Sequence, residues 1–212
     1  MVKLLCPSMM CANYANLQHE IKELESAGID IFHLDVMDGK FVPNFGMGLQ
    51  DIEFICKMAN KPADVHLMIE RPGDYVEKFA KLGVEIIYIH PEADKHPTRV
   101  LQKILNCGKK AGIAINPGTS VGTIEPLLSL VDYIMAMTVN PGFAGQKYLD
   151  FVDEKIDRLL ILKEKYHYEL IVDGACSPKR IQTLSKKGVN GFVLGTSALF
   201  DKDRHMNRLF RN

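Results

Sequence analysis

The sequence alternates short apolar, often β-branched runs with longer amphipathic stretches eight times from end to end. Such strand–helix alternation predicts a parallel sheet with right-handed crossovers. Eight units in 212 residues favour an α/β fold of the closed (β/α)₈ barrel type, with a doubly wound open sheet as the alternative. The predicted strands are 4–9, 31–36, 63–68, 86–90, 113–116, 133–138, 169–173 and 192–194; the predicted helices are 17–27, 49–59, 72–82, 97–111, 121–130, 148–166 and 178–187, with a short helical region after the last strand.

No linker or low-complexity segment interrupts this alternation, so a single domain over residues 1–212 is predicted. The sequence also contains neither G-x-G-x-x-G nor G-x-x-x-x-G-K-[ST], the glycine fingerprints of dinucleotide and nucleotide folds. An open nucleotide-binding sheet is therefore disfavoured relative to the barrel.

Composition narrows the choice of partners and compartment. Basic and acidic residues both number 26, so net charge indicates neither a nucleic acid nor a membrane surface as partner. No apolar run reaches the length that spans a bilayer. The five cysteines form no C-x-x-C pair and are odd in number, which argues against a disulfide framework. These features predict a cytoplasmic protein that binds neither nucleic acid nor membrane.

Polar residues at the carboxyl ends of the predicted strands are the candidate catalytic groups, because barrel enzymes place their active sites there. Side chains alternate along a strand, so His33, Asp35 and Met37 share one face of strand two. Strand three carries His66 near its end, and strand seven ends at Asp173. Strands two and three are adjacent and strand seven lies across the barrel mouth, so these polar groups can converge.

Two histidines and two aspartates suit a single divalent cation, with zinc, manganese, cobalt or ferrous iron preferred to calcium or magnesium. The predicted ligands are His33, Asp35, His66 and Asp173. At any one position the alternative is a histidine satisfied in the core or an aspartate capping a helix. Asp38 is out of phase with Asp35 and is predicted to be a turn residue.

Glycine-rich loops follow the last three predicted strands. They are 138–146 after strand six, Gly174-Ala175 after strand seven and Gly195-Thr196-Ser197 after strand eight. Glycine lets a ligand approach the backbone closely, and loops seven and eight of such barrels commonly bind phosphate through backbone N–H groups. Tight βα turns use glycine as well, but the position of these loops favours a phosphate site.

Methionines recur near the strand ends, at Met10, Met37, Met68 and Met137. Two interpretations stay open. Methionine commonly fills gaps in a core, but residues beside the predicted ligands could equally form a dry lining for a reactive intermediate.

Several segments resemble the ribulose-phosphate 3-epimerase family, and the resemblance covers nearly the whole chain. The matching segments are Pro7-Ser8, HLDVMDGKFVPN (33–44), DVHLMIERP (64–72), NPGT (116–119), MTVNPGFAGQ (137–146) and VDG (172–174). The resemblance implies metal ligation by the four residues named above, substrate contact by Ser8, and phosphate binding by the late glycine loops. It also makes a homo-oligomer plausible. The full predicted substrate-contact set is Ser8, Met37, His66, Met68, Met137, Gly142, Phe143, Ala144, Gly145, Gly174, Ala175, Gly195, Thr196 and Ser197.

Four departures from the family's pentose-phosphate pattern bear on the substrate. Met-Met-Cys at 9–11 replaces Ile-Leu-Ser, Pro91 stands between His90 and Glu92, Ala-Cys at 175–176 replaces Gly-Ile, and 195–200 reads Gly-Thr-Ser-Ala-Leu-Phe. These variants resemble the allulose-6-phosphate 3-epimerase branch. The small-molecule partner is thus predicted to be a ketose phosphate, D-allulose 6-phosphate converted to D-fructose 6-phosphate, with D-ribulose 5-phosphate to D-xylulose 5-phosphate as the alternative.

The implied reaction is inversion at C3 through an enediolate. A cation on O2 and O3 would neutralise the developing charge, and inversion needs one proton-transfer group on each face of the substrate. Asp35 and Asp173 are predicted to be these two proton-transfer groups. The loop at 140–146 is predicted to close over the substrate as a lid that excludes water. A sugar-phosphate decarboxylase barrel is less favoured because the Asp-x-Lys-x-x-Asp pattern is absent. A non-catalytic sugar-phosphate-binding protein would not need two carboxylates around its ligand.

Overall fold

A computed structural model describes residues 4–200, which contain eight parallel strands joined into one sheet with helices between them. The strands are β1 (Leu4–Pro7), β2 (Phe32–Met37), β3 (Ala63–Met68), β4 (Ile86–Ile89), β5 (Lys110–Ile115), β6 (Tyr133–Met137), β7 (Glu169–Asp173) and β8 (Gly191–Leu194). The helices are α1 (Leu17–Ser26), α2 (Leu49–Met58), α3 (Val76–Lys81), α4 (Pro97–Asn106), α5 (Val121–Ile124), α6 (Val152–Tyr166) and α7 (Pro178–Lys187).

The sheet closes on itself, so the prediction of a (β/α)₈ barrel is confirmed. Its strand order is β1-β8-β7-β6-β5-β4-β3-β2. The remaining seam between β1 and β2 is bridged by a parallel pairing of Ser8 with His33, and the Asp30 amide donates to the carbonyl of Leu5 at 2.9 Å. Closure of the barrel brings Ser8, which follows β1, next to His33 of β2, although β1 and β2 are the first and last strands in this order.

Alternation of side chains divides the core into two layers. Strand residues of one parity, such as Leu34, Val65 and Ile87, pack outward against the helices in the larger apolar cluster. Residues of the other parity fill the barrel interior, where Tyr88 and Met135 are fully buried. This second layer forms the floor on which the strand-end side chains rest.

Glycine and proline explain two of the places where the predicted boundaries were wrong. Helix 97–111 ends at Asn106, because Gly108 takes a left-handed φ of 71° and β5 begins already at Lys110. The segment 121–130 is one α-helical turn followed by a 3₁₀ helix that contains Pro126 near its start. The predicted helices 72–82 and 148–166 begin later as α-helices, at Val76 and Val152.

Other predictions reach beyond the described residues. The helical region expected after β8 falls mostly beyond residue 200, and the single domain over 1–212 includes residues 1–3 and 201–212, so both stay predictions. Within residues 4–200 no helix has both the length and the apolarity to cross a bilayer.

Gly112 on β5 is a site where one added methyl group should destabilise the barrel. It pairs with Tyr88 on β4, and a Cβ built there would overlap the ring, lying 2.7 Å from Cε1. Tyr88 is fully buried, so it has no free space to move into. We expect Gly112→Ala to lower the free energy of unfolding by about 1–3 kcal/mol, measured by urea denaturation. Gly122→Ala is the matched control, because a Cβ at Gly122 would meet no atom closer than 3.8 Å. This variant should not lower the free energy of unfolding.

Candidate active site

Four side chains from three strands converge inside the barrel. His33 and Asp35 come from β2, His66 from β3 and Asp173 from β7, and one donor atom from each lies within 4.8 Å of the others. Nδ1 of His66 is 3.2 Å from Oδ1 of Asp35 and 3.9 Å from Oδ2 of Asp173. The four residues predicted as a metal site therefore form one cluster in the fold.

Register and pleat bring this cluster together. Asp35 pairs directly with His66 across β2 and β3, so the two side chains leave the same face at the same height. Asp173 closes β7 opposite Met137 of β6 and reaches the cluster from across the barrel mouth. Ser8, just beyond β1, donates from its hydroxyl to Oδ2 of Asp35 at 2.7 Å. Asp35 is thus held by a neighbour on either side.

The tautomer of His33 is set by a buried carboxylate. Nδ1 of His33 lies 2.6 Å from Oδ1 of Asp64, and both side chains are almost fully buried. Because Nδ1–H of His33 donates to Asp64, Nε2 is the ring nitrogen that faces the cluster. Nε2 lies 3.2 Å from Oδ1 of Asp35 but does not form a hydrogen bond with it. A carboxylate behind an imidazole is the usual support of a metal-ligating histidine.

His66 is supported in the same way by a second histidine. Its Nε2 lies 2.8 Å from Nε2 of His90, which is fully buried and tilted against the ring of Phe41. Burial, reinforced by the neighbouring His66, lowers the pKa of His90 well below its usual value, so His90 is neutral. A neutral His90 can accept the Nε2–H of His66, which leaves Nδ1 of His66 facing the two carboxylates.

The two aspartates differ in acidity. Burial opposes ionisation of Asp35, but the charge of His33, with a further contribution from His66, outweighs it and holds the pKa well below its usual value. Burial raises the pKa of Asp173 to about 6; His33 opposes this shift, and the charge of Asp35 adds to it. One carboxylate is therefore firmly ionised, and the other titrates close to neutrality.

The residues present fit a divalent cation. Nε2 of His33 is a buried ring nitrogen with no hydrogen-bond partner, and it faces three further donors. Burial lowers the pKa of His33, but Asp64 and Asp35 outweigh it and raise it well above its usual value, so these carboxylates favour a second proton on the His33 ring. A cation would take that proton's place.

A cleft opens directly above this cluster. Asp35 and Asp173 reach its floor, whereas His33 and His66 are fully buried beneath it and do not line it. The other residues predicted to contact substrate all line the cleft, and they are Ser8, Met37, Met68, Met137, Gly142, Phe143, Ala144, Gly145, Gly174, Ala175, Gly195, Thr196 and Ser197. His66 is thus placed to act on a substrate only through another group.

The cleft rim carries left-handed backbone where the phosphate loops were predicted. Gly174 has φ of 111°, and a Cβ there would lie 2.6 Å from Cγ2 of Val139. Ala175 has φ of 47°, which costs about 1–3 kcal/mol in a residue with a side chain. A glycine at this position would carry no such strain. Turns of this kind gather backbone N–H groups into anion-binding concavities.

The loop after β6 is fastened across the cleft to the loop after β2. The side-chain amide of Asn44 donates to the carbonyl of Gly142 at 2.7 Å, and Gln146 donates to the carbonyls of Asn140 and Phe143. Phe143 is half exposed at the loop tip. In this arrangement the loop forms one wall of the cleft. Its predicted closure over a substrate stays a prediction.

Asp64 and His90 were missed as parts of the site, although the sequence carried a signal for each. Asp64 has the same parity on β3 as His66, and His90 has the same parity as Tyr88 at the end of β4, so both point into the barrel. A buried charge needs a partner, which in a barrel is found on the neighbouring strand. Further lining residues outside the predicted contact set are Met10, Cys11, Val139, Asn140, Pro141, Gln146, Cys176 and Val193. Asp38 accepts from the amides of Lys40, Phe41 and Glu70, as expected of a turn residue.

Some known proteins resemble this chain in sequence, and others resemble it in fold. The model of the Ribulose-phosphate 3 epimerase family matches residues 4–200. Ribulose-phosphate 3-epimerase of Helicobacter pylori is 42% identical over 95% of this chain and 93% of its own length. The Bacillus subtilis enzyme of the same name is 40% identical over 94% of each. A mutant tryptophan synthase alpha-subunit from Pyrococcus furiosus matches the fold with a TM-score of 0.72 at 14% identity, over 100% of this chain and 97% of its own.

Proposed function

The chain belongs to the ribulose-phosphate 3-epimerase family and is an isomerase, and we propose that it interconverts D-ribulose 5-phosphate and D-xylulose 5-phosphate. Relatives at 40–42% identity carry the ribulose-phosphate name, which supports the pentose substrate over the D-allulose 6-phosphate favoured by the sequence variants. One observation carries the chemistry: two aspartates on the floor of one cleft meet two histidines buried directly beneath it.

Inversion at C3 requires one group that takes a proton and another that returns one on the opposite face. We assign these roles to Asp35 and Asp173. Asp35 is steadied by the hydroxyl of Ser8, and Asp173 reaches the same cleft floor from across the barrel mouth. One aspartate would take the C3 proton while the other returns one, and after each turnover the two would exchange roles.

His33, Asp35, His66 and Asp173 would hold one divalent cation. When bound, such a cation supplies Lewis-acid stabilisation for negative charge that develops on the substrate oxygens. His33 is held by Asp64, and both histidines are fully buried beneath the cleft. The donor set suits zinc, ferrous iron, manganese or cobalt.

The phosphate of the substrate would lie against the rim loops. Left-handed turns at Gly174 and Ala175, together with the loop at 195–197, line the end of the cleft beyond Asp173. Backbone N–H groups there would bind the anion without a net basic charge on the protein. The methionines between this rim and the cluster would give the reacting carbons an apolar surround. The homo-oligomer stays a prediction.

Turnover of two substrates on protein of known metal content tests the assignment. We expect D-ribulose 5-phosphate to give the higher kcat/KM and D-allulose 6-phosphate the lower, measured by coupled assays at equal enzyme concentration. The reverse order would restore the hexose phosphate as the substrate and leave the epimerase chemistry intact. Binding of both sugars without exchange of the C3 proton for solvent deuterium would instead indicate a non-catalytic binding protein.

A further inference from the structure

Two segments meet behind His66: the turn at 116–119 and the segment His90-Pro91-Glu92. Oε1 of Glu92 accepts from the hydroxyl of Thr119 at 2.5 Å and from the amide of Asn116 at 3.2 Å. Its other oxygen, Oε2, lies 3.8 Å from Nδ1 of His90.

The turn that holds Glu92 is itself anchored. The amide of Thr119 donates to the carbonyl of Asn116 at 3.1 Å and closes the turn. Lys155 of α6 donates from Nζ to the carbonyls of Asn116 and Pro117 at 2.6 and 2.7 Å. Glu92 therefore has a fixed carboxylate on the far side of His90, although it lies on a 3₁₀ turn after β4.

His90 links this carboxylate to the cluster. Both its ring nitrogens are buried; Nε2 lies 2.8 Å from Nε2 of His66, and Nδ1 has no hydrogen-bond partner and faces Glu92. When Nδ1 of His66 serves as a ligand, its only ring proton sits on Nε2, so Nε2 of His90 must accept it. A neutral His90 then carries its own proton on Nδ1, directed toward Glu92.

We infer that His90 and Glu92 are positioning residues that hold His66 in the tautomer with Nδ1 free for a cation, the turn at 116–119 fixing Glu92 for this purpose. This inference rests on the metal site in the proposed function. The two segments then share a single role. They orient the Nδ1–H of His90 toward Glu92 and the Nε2–H of His66 toward His90. Its first measurable consequence is affinity for the cation, because outer partners of ligating histidines tune that affinity.

Cobalt affinity of matched variants tests the chain of contacts. Leucine and glutamine are close in size to histidine, but only glutamine keeps an acceptor for the Nε2–H of His66. We expect His90→Leu to weaken Co²⁺ binding about 10- to 100-fold in competition with a chromophoric chelator, and His90→Gln to retain most of the affinity. Glu92→Gln should weaken binding, while Glu125→Gln, whose carboxylate pairs with Arg158 of α6, should not.

Ring nitrogen spectra give a readout that packing alone would not change. In the Zn²⁺-loaded protein with ¹⁵N-labelled histidine, His66 should appear as the Nε2–H tautomer and His90 as the Nδ1–H tautomer. Equal Co²⁺ affinity of His90→Leu and the unaltered protein, or His90 in the Nε2–H tautomer, would overturn the inference. If His90→Leu does not fold, Glu92→Gln and the nitrogen spectra decide the question.

The failure of the metal site itself would look different. His66→Ala serves as the reference: if it binds Co²⁺ as well as the unaltered protein does, the proposed site is wrong. If His66→Ala loses affinity but His90→Leu, His90→Gln and Glu92→Gln do not, the site stands and only the positioning role fails.

Discussion

Replacing Asp173 with asparagine should lower kcat for epimerisation by about 10³-fold, the middle of the range that a positioned acid–base group supplies. The side chain keeps its size and its place at the end of β7 but can no longer take or return a proton at C3. Turnover is measured by a coupled assay, and exchange at C3 by proton NMR in D₂O. The fold should be retained, since Asp173 lies at the cleft rather than in the core.

Comparison with Asp35→Asn makes this experiment specific for two proton-transfer groups. Each variant keeps one of the two carboxylates, so its residual solvent exchange at C3 should occur with only one of the two epimers. The epimer that still exchanges in Asp173→Asn should be the one that does not exchange in Asp35→Asn. Asp157→Asn, an exposed aspartate paired with Lys187 on the outer helices, is the control and should keep full activity. Near-normal turnover of Asp173→Asn or Asp35→Asn would rule out the two-base assignment.

Removal of the cation should abolish turnover, and its return should restore it. A Lewis acid at a developing oxyanion contributes several kcal/mol, so dialysis against a chelator should reduce kcat by at least about 10³-fold. His66→Ala should produce a similar loss together with a lower bound-metal content, measured by elemental analysis of protein purified without added metal. The cause is the loss of a buried Nδ1 donor that lies 3.2 Å from Asp35.

An exposed histidine provides the control for this measurement. His19 lies on α1 and pairs with Glu23 at the surface, so His19→Ala should change neither metal content nor turnover. Unchanged metal content in His66→Ala would remove His66 from the ligand set. Full activity of the chelator-treated, metal-free protein would show that the two carboxylates suffice without a cation.

Much of the site was predictable because it depends on local rules. A strand places alternate residues on one face, so His33 and Asp35 had to share a face, and a barrel puts strand ends at one mouth. The turn role of Asp38 followed from the same phase argument and is confirmed by its three backbone hydrogen bonds. The boundaries of α4 and β5 were wrong because the left-handed Gly108 ended the helix before the apolar pattern did.

The sequence alone determined the architecture and the identities of the four clustered residues, since periodicity and residue chemistry are properties of each segment. The tertiary structure decided which side chains stand behind them. Asp64 touches His33 because β2 and β3 pair in one register, and His90 touches His66 because β4 lies beside β3. Glu92 meets Thr119 only after two successive loops fold over the same barrel end. Partners of this kind are set by strand register and loop packing, which no single segment encodes.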